Sequence, residues 1–202
     1  MINLKIKNYK KNIFLSEKQF KNHEFIFLNY IKKLNNYLIK NNINVKNKFE
    51  LIDFLYDLPE YEKNIFSQLI GGYLNHEYYF NNITFELINC FGEIKKNIIK
   101  NFKNYENFKI NFIKNFINFN GWGWVVINNN KIFMLKTYEN NNPLFSVNLG
   151  GYNSIPLLCV DLHEHSYYLD YLNNKELYLK NFLNYINWFE VENRLQNYFL
   201  NK

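Results

Sequence analysis

Three of the four histidines in this chain stand where a helix face or a strand end would turn them inward. His23 lies on or beside one apolar helical stripe, and His76 lies on the inner face of another. Asp161 and His165 follow a short apolar run, so a carboxylate and an imidazole emerge together from the end of one buried strand. Any one of these histidines alone would be interpreted as a structural residue, but three neutral imidazoles and one carboxylate suit a borderline divalent metal ion. The set predicts a redox or hydrolytic metal site with an open coordination position.

The first two histidines need helices to position them. Ser16 followed by Gln19 is typical of a capping box at the start of a helix. Apolar residues then recur at helical spacing, at Phe20, Phe27, Ile31, Leu34 and Leu38. After an Asn-rich interruption, a second stripe runs through Ile65, Leu69, Tyr73 and Phe80. We therefore expect two long helices packed as an antiparallel hairpin.

The character of the sequence changes after residue 82. Two amphipathic helices are predicted over residues 91–102 and 105–119. Strands are predicted over residues 121–127, 131–137 and 155–160, and the pattern from about residue 165 to residue 201 is helical again. The second strand can pair back on the first, and the third ends at Asp161.

Composition excludes several classes of protein. Hydrophobic residues make up 48% of the 202 residues and aromatic residues 20%, so the chain can bury a core and is not disordered. No apolar run approaches the roughly 18 residues of a membrane span. The net charge of +6 would suit anions or nucleic acid, but the lysines are dispersed and Arg194 is the single arginine, so nucleic acid is not expected as a partner. Two cysteines fit a reducing compartment, by default the cytoplasm, with the mitochondrion as the alternative.

Several segments together resemble the iron/manganese superoxide dismutases. Residues 161–168 read D-L-H-E-H-S-Y-Y, similar to the family signature D-x-W-E-H-A-Y-Y with His163 for Trp and Ser166 for Ala. Residues 121–124 match G-W-G-W. Residues 71–76, 30–35 and 184–188 resemble G-G-H-x-N-H, Y-V-x-x-L-N and N-x-I-N-W. The resemblance runs in the family's order from Ser16 to about Arg194.

This resemblance implies the α+β fold class. An N-terminal antiparallel helical hairpin (residues 1–84) would precede a C-terminal α/β domain (residues 85–202) with a small three-stranded antiparallel sheet flanked by helices. The hairpin would supply His23 and His76, and the C-terminal domain Asp161 and His165. The ion would be manganese or iron, one per subunit, and would alternate between trivalent and divalent states while converting superoxide to dioxygen and hydrogen peroxide.

The resemblance also assigns residues around the ion, where this sequence departs from the family. Tyr30 matches a tyrosine of the proton network but follows His23 by seven residues where the family has eight. The family's glutamine beside the metal-bound solvent is replaced by Gly72 at one possible place and by Asn118 at the other, which leans towards manganese. His163 puts a titratable ring where an apolar wall is expected.

Two further residues bear on assembly, and two further functions stay open. Glu164 and Tyr168 match the family's two-fold interface, with Glu164 bridging to a ligand histidine of the partner, so a homodimer is implied. The alternative function is a dismutase-like structural subunit of a larger assembly, such as a mitochondrial ribosome, where the basic surface would meet RNA. A zinc hydrolase using the same ligands would need a general base that the sequence does not show.

Overall fold

The computed structural model describes residues 8, 10 and 14–200. In chain order the helices are α1 (Glu17–Lys40), α2 (Lys48–Asp57), α3 (Glu60–Asn82), α4 (Gly92–Phe102), α5 (Tyr105–Phe116), α6 (Tyr168–Tyr171), α7 (Lys175–Asn184) and α8 (Trp188–Leu200). The strands β1 (Trp122–Asn128), β2 (Lys131–Thr137) and β3 (Ile155–Asp161) lie between α5 and α6. Two short 3-10 helices, Val147–Leu149 and Glu164–Ser166, flank β3.

The N-terminus of α1 is capped as the sequence predicts, but only in part. The Ser16 hydroxyl accepts a hydrogen bond from the backbone N of Gln19 at 3.1 Å. The reciprocal bond of a capping box is missing, because the Gln19 side chain turns towards His165 instead. Asp170 accepts from the backbone N of Ser16 at 2.6 Å and takes that role. The start of α1 is thus tied to the C-terminal part of the chain.

Helices α1 and α3 form the predicted antiparallel hairpin. Ring contacts pair Phe20 with Phe80, Phe27 with His76, and Tyr37 with Phe66, at centroid separations of 5.5, 5.6 and 4.5 Å. Residue numbers rise on one helix as they fall on the other, so the two helices run in opposite directions. This packing sets His23 and His76 face to face.

The segment between these helices differs from the prediction. Residues 48–57 form a separate helix, α2, whose N-cap Asn47 accepts hydrogen bonds from the backbone N atoms of Phe49 and Glu50. Pro59 is then the N-cap residue of α3, next to the first turn, where a proline lacking an N–H is well tolerated. Ile65 was predicted on the inner stripe, but its side chain is 71% exposed because the buried face of α3 begins at Phe66.

The sheet has the order β2-β1-β3, and both pairings are antiparallel. Asn129 and Asn130 join β1 to β2 with φ of 46° and 61°, which are the left-handed conformations that a two-residue hairpin turn of type I′ requires. At the other end of the sheet Trp122 is paired with Asp161. The predicted α+β architecture with a three-stranded antiparallel sheet is confirmed.

The C-terminal region closes against both the sheet and the hairpin. It contains three helices, α6 to α8, where the sequence indicated one helical stretch. Backbone bonds from Thr84 to Tyr185 (2.8 Å) and from Asn187 to Asn82 (2.7 Å) join this region to the end of α3. A domain boundary after residue 84 stays a prediction. Among the described residues, none of the helices combines the length and the apolar character needed to cross a membrane.

Candidate metal centre

The fold brings four predicted ligands to one place. His23 comes from α1, His76 from α3, Asp161 from the end of β3 and His165 from the 3-10 turn that follows. One potential ligand atom from each lies within 4.8 Å of the others. Three of the side chains are buried, and that of His165 keeps 31% of its surface exposed. A single ion could therefore contact all four residues and remain close to solvent on the His165 side.

The two oxygens of Asp161 face different surroundings. Oδ2 lies 2.9 Å from Nε2 of His23 and 3.1 Å from Nε2 of His165, so it faces the imidazoles. Oδ1 accepts from the backbone N of His163 at 3.0 Å and contacts Nδ1 of the same residue at 2.7 Å. Oδ2 is therefore the oxygen available to an ion.

The backbone of Asp161 is held as firmly as its side chain. The hydroxyls of Ser166 and Tyr178 each donate to the Asp161 carbonyl at 2.9 Å. Lys175 donates to the carbonyl of the next residue, Leu162, at 2.8 Å. These bonds fix the turn that carries both Asp161 and His165.

The histidine nitrogens have the form that ligands need. Nδ1 of His76 donates to the carbonyl of Gly72 at 2.6 Å, which leaves the lone pair on Nε2. That Nε2, and both ring nitrogens of His23, are buried and form no hydrogen bond with the described part of the chain. The close contact between His23 and Asp161 is not aligned as a hydrogen bond. Buried nitrogens without partners are rare, and a metal ion between these atoms would account for them.

At Asp161, His76 and His23 the electrostatics favour the protonation states that metal ligands need. Burial opposes ionisation of Asp161, but the charge of His165 and the hydrogen bonds from His163 and His165 hold its pKa well below the usual value. Burial lowers the pKa of His76 to about 3 and also lowers that of His23. Burial opposes protonation of His165, but the charge of Asp161 and the hydrogen bond to it together raise the pKa of His165. Near neutral pH the centre thus holds a carboxylate and two neutral imidazoles, as metal ligation requires.

Comparison with known proteins identifies the family. Residues 91–194, half of the chain, match the model for the C-terminal domain of iron/manganese superoxide dismutases. This chain belongs to the iron/manganese superoxide dismutase family. It is 30% identical over 170 residues to the superoxide dismutase [Mn] of Buchnera aphidicola, with 83% of each chain covered. It is 31% identical over 147 residues to that of Escherichia coli K12, covering 72% of this chain and 71% of the relative.

A relative named for the other metal covers less of the chain. The superoxide dismutase [Fe] of Plasmodium falciparum isolate 3D7 is 39% identical over 100 residues, or 48% of each chain. Family members named for manganese and for iron are therefore both similar to this chain. The family is settled, and the ion is manganese or iron.

The tyrosine of the family pattern lies beside the centre. The Tyr30 ring is 5.2 Å from that of His76 in spite of the shortened spacing from His23. Gly72 makes this approach possible, because a Cβ there would lie 2.2 Å from Cε1 of Tyr30. On another side of the centre Phe27 stacks on His76, with the rings 11° from parallel.

The amide near this tyrosine comes from a residue that the sequence did not indicate. Nδ2 of Asn140 donates to the Tyr30 hydroxyl at 3.0 Å. Asn118 was predicted for the amide position, but it lies exposed in the turn after α5, and no hydrogen bond joins it to the described residues of the centre. The predicted residue, Asn118, stands just before β1, whereas Asn140 lies in the loop after β2. The Asn-rich composition of residues 140–142 was the available signal.

The two tryptophans of the G-W-G-W segment have different environments. Trp122 packs edge-on against His76 at 5.0 Å and against His163 at 5.5 Å, and its Nε1 is buried without a partner among the described residues. Trp124 donates to Thr137 at 2.9 Å in the core. Trp122 is thus a wall of the centre, and Trp124 is structural.

Gln19 is a second residue that the sequence did not assign to the site. Its side chain is fully buried, donates to the carbonyl of His165 at 2.7 Å and accepts from the backbone N of Leu169 at 3.0 Å. Gln19 stands four residues before His23 on the same helix. It therefore links the helix that carries one ligand to the turn that carries another.

Proposed function

We propose that the chain is a superoxide dismutase that uses one manganese or iron ion held by His23, His76, Asp161 and His165. The observation that supports this most strongly is the convergence of four potential ligand atoms within 4.8 Å, two of them buried nitrogens that form no hydrogen bond with the described residues. Family membership supports the same activity. When bound, the ion would supply a centre that alternates between trivalent and divalent states.

The residues around the ion have separate roles. Asp161 would offset part of the charge of a bound ion, and the Gly72 carbonyl fixes the His76 ring so that its Nε2 lone pair would be free to bind the ion. Phe27 and Trp122 are buried against the His76 ring and exclude water from that side. His165 and His163 keep 31% and 24% of their side chains exposed, so a small anion can approach from their side.

Tyr30 is the group that can deliver a proton. Because the amide of Asn140 donates to the tyrosine oxygen, the hydroxyl hydrogen stays available for a second partner. Reduction of superoxide to peroxide requires protons, and a half-buried hydroxyl beside His76 is suitably placed to relay them. The ammonium of Lys33 lies 5.9 Å from the centre of the Tyr30 ring and favours the approach of an anion.

Manganese is the ion that we favour. The relatives that align over most of their length with this chain, from Buchnera aphidicola and Escherichia coli, are named for manganese. The preference for manganese in the sequence analysis depended on Asn118, and the exposed position of Asn118 does not support that preference. Elemental analysis of protein purified from cells supplied with both metals would decide between the two ions.

The experiment that tests the activity compares two aspartate variants. Asp161→Ala removes the one carboxylate ligand, whereas Asp57→Ala removes an exposed carboxylate at the end of α2. We expect the wild type and Asp57→Ala to hold one ion per chain and to consume superoxide, and Asp161→Ala to lose both properties. A wild-type protein that folds, is given both metals and consumes no superoxide would overturn the proposal.

We also propose that the chain forms a homodimer through the surface around His165. Glu164 is exposed there, next to Tyr168, Leu169 and Leu172, which are 48%, 48% and 60% exposed. No described residue accepts a hydrogen bond from Nδ1 of His165, so Glu164 of a second copy could do so. Sedimentation should give twice the 24.8 kDa of one chain. Glu164→Ala should shift the equilibrium towards monomer, and Glu60→Ala, on an exposed site elsewhere, should not.

The compartment that we propose is the cytoplasm. Cys90 and Cys159 are both buried and unpaired, as is usual where thiols stay reduced. Cell fractionation followed by immunoblotting would test this, and recovery with mitochondria would contradict it.

A further inference from the structure

His163 is the residue of the centre that the family pattern does not explain. Its side chain is 24% exposed and belongs to neither the core nor the group of four potential ligands. Nδ1 of His163 lies 2.7 Å from Oδ1 of Asp161. The ring stacks on that of His165 with an interplanar angle of 8° and meets Trp122 edge-on. The backbone N of His163 also donates to Oδ1 of Asp161. These four contacts fix the orientation of the His163 ring.

The direction of this hydrogen bond follows from the chemistry of its partner. An ionised carboxylate can only accept, so Nδ1 of His163 carries the hydrogen and donates it. Oδ1 also accepts from the backbone N of His163 at 3.0 Å, which any residue at this position could supply. The imidazole thus adds a second donor to the oxygen that faces away from the other ligands. Because Asp161 is fully buried, this bond acts where water screens little.

Two consequences follow for an ion bound to Oδ2. The two donors hold the carboxylate plane, so Oδ2 keeps facing His23 and His165. They also draw negative charge towards Oδ1, which weakens donation from Oδ2 and favours the divalent ion over the trivalent one.

We propose that His163 is a positioning residue that aims Asp161 at the ion and raises the reduction potential of the bound metal. This inference rests on the proposed function, because it needs a redox-active ion at the four-residue centre. The signature that residues 161–168 resemble has Trp at this position, so the resemblance does not imply the hydrogen bond to Oδ1. His163 does not need to touch the substrate to have this effect.

The test uses three substitutions of His163. They distinguish the loss of the hydrogen-bond donor to Oδ1 from the loss of the imidazole ring. The amide nitrogen of His163→Asn occupies nearly the position of Nδ1 and can donate to Oδ1. His163→Gln carries the same amide one methylene further out, and His163→Leu carries no donor. The probe is the reduction potential of manganese-loaded protein, titrated with redox mediators and followed by the absorption of the trivalent ion. Superoxide is not needed for this measurement.

We expect His163→Leu and His163→Gln to favour the trivalent ion at least about tenfold relative to wild type, a fall of about 59 mV for one electron. His163→Asn should stay within about threefold of wild type. Equal potentials in all four proteins would overturn the proposal, and so would a shift in His163→Asn as large as that in His163→Leu. If His163→Leu does not fold, the comparison of the two amides decides alone. A wild-type protein that holds neither manganese nor iron when supplied with both would instead contradict the proposed function, and metal analysis shows this before any titration. If only iron is held, the same comparison is made on the iron-loaded proteins.

Discussion

The amide of Asn140 donates to the hydroxyl of Tyr30 at 3.0 Å, across 110 positions of sequence. Tyr30 belongs to the helical hairpin, and Asn140 lies in the loop after β2. Gly72 of α3 lies so close to the Tyr30 ring that any side chain there would clash with it. Helix α3 therefore also limits where the Tyr30 hydroxyl can lie. Three separate parts of the chain thus determine where one proton donor lies.

Tyr30→Phe removes that donor while keeping the ring. We expect the metal content to be unchanged and the rate of superoxide consumption per bound ion to fall at least about tenfold, because proton delivery is lost. Stopped-flow absorbance gives the rate. Tyr138→Phe is the matched control, since Tyr138 is 69% exposed. Equal rates in the two variants would argue against a role for Tyr30.

Gly72→Ala tests the close approach of α3 to Tyr30. In an ordinary helix this change would stabilise by up to about 1 kcal/mol. Here the new Cβ would lie 2.2 Å from the Tyr30 ring. The cost of overpacking should exceed the gain in helix propensity, so we expect the free energy of unfolding to fall by about 1–3 kcal/mol. Denaturant unfolding measures the change. The same substitution in a Tyr30→Ala background should cost much less, and an equal cost in both backgrounds would show that the clash is not its cause.

Gln19→Ala tests the link between α1 and the turn that carries His165. The variant loses two hydrogen bonds and leaves the His165 carbonyl without its donor, so His165 should be less well held. We expect metal affinity to fall about 10- to 100-fold, as for other groups that orient ligands. Competition with a chelator gives the affinity. Gln196→Ala on α8 should leave it unchanged, and a similar loss there would point to a general effect on stability.

Glu192 gives a pH dependence away from the metal centre. Its carboxylate accepts from the backbone N atoms of Glu93 and Ile94 at 3.1 and 2.7 Å and so caps α4 from α8. Burial opposes ionisation, but the hydrogen bonds from Gln196 and from the two backbone N atoms together lower the pKa of Glu192 below its ordinary value. The depressed pKa means that the stabilisation is full above about pH 4.5 and is lost as pH falls through the folded value.

Glu192→Ala should therefore cost about 1 kcal/mol of unfolding free energy at pH 7, the usual value of a helix cap. The difference in unfolding free energy between Glu192→Ala and wild type should shrink below about pH 4.5, because the Glu192 carboxylate then takes up a proton. Urea titrations at several pH values measure both. Glu176→Ala on α7, a half-exposed residue, serves as the control. A difference that stays constant down to pH 3 would contradict the ionic cap.

Local patterns predicted the elements that carry the ligands. Burial leaves a pattern of apolar residues in the sequence, which is seen in the run before Asp161 and in the stripe through Phe20 and Phe27. The bounds of β3 and α1 were therefore predicted almost to the residue. The break between α2 and α3 was missed although Pro59 marks it. The four ligands could be named together because the family's segments occur in order.

The groups around those ligands could not be predicted in the same way. Asn140 and Asn118 are both polar residues at the end of an element, and only the path of the chain decides which one reaches Tyr30. Gln19 looked like half of a capping box, and the partner that competes for it is 146 positions away. Contacts of this kind depend on tertiary packing, which periodicity and spacing do not contain.

The central claim is that one redox-active ion at the four-residue centre dismutates superoxide. The most direct measurement is the rate of superoxide decay per bound ion in the same protein reconstituted with manganese and with zinc, each at one ion per chain. Zinc takes the same ligand types but has no redox chemistry. We predict rapid decay with manganese and the uncatalysed rate with zinc. Equal decay in the two preparations, or none with manganese fully bound, would contradict the account.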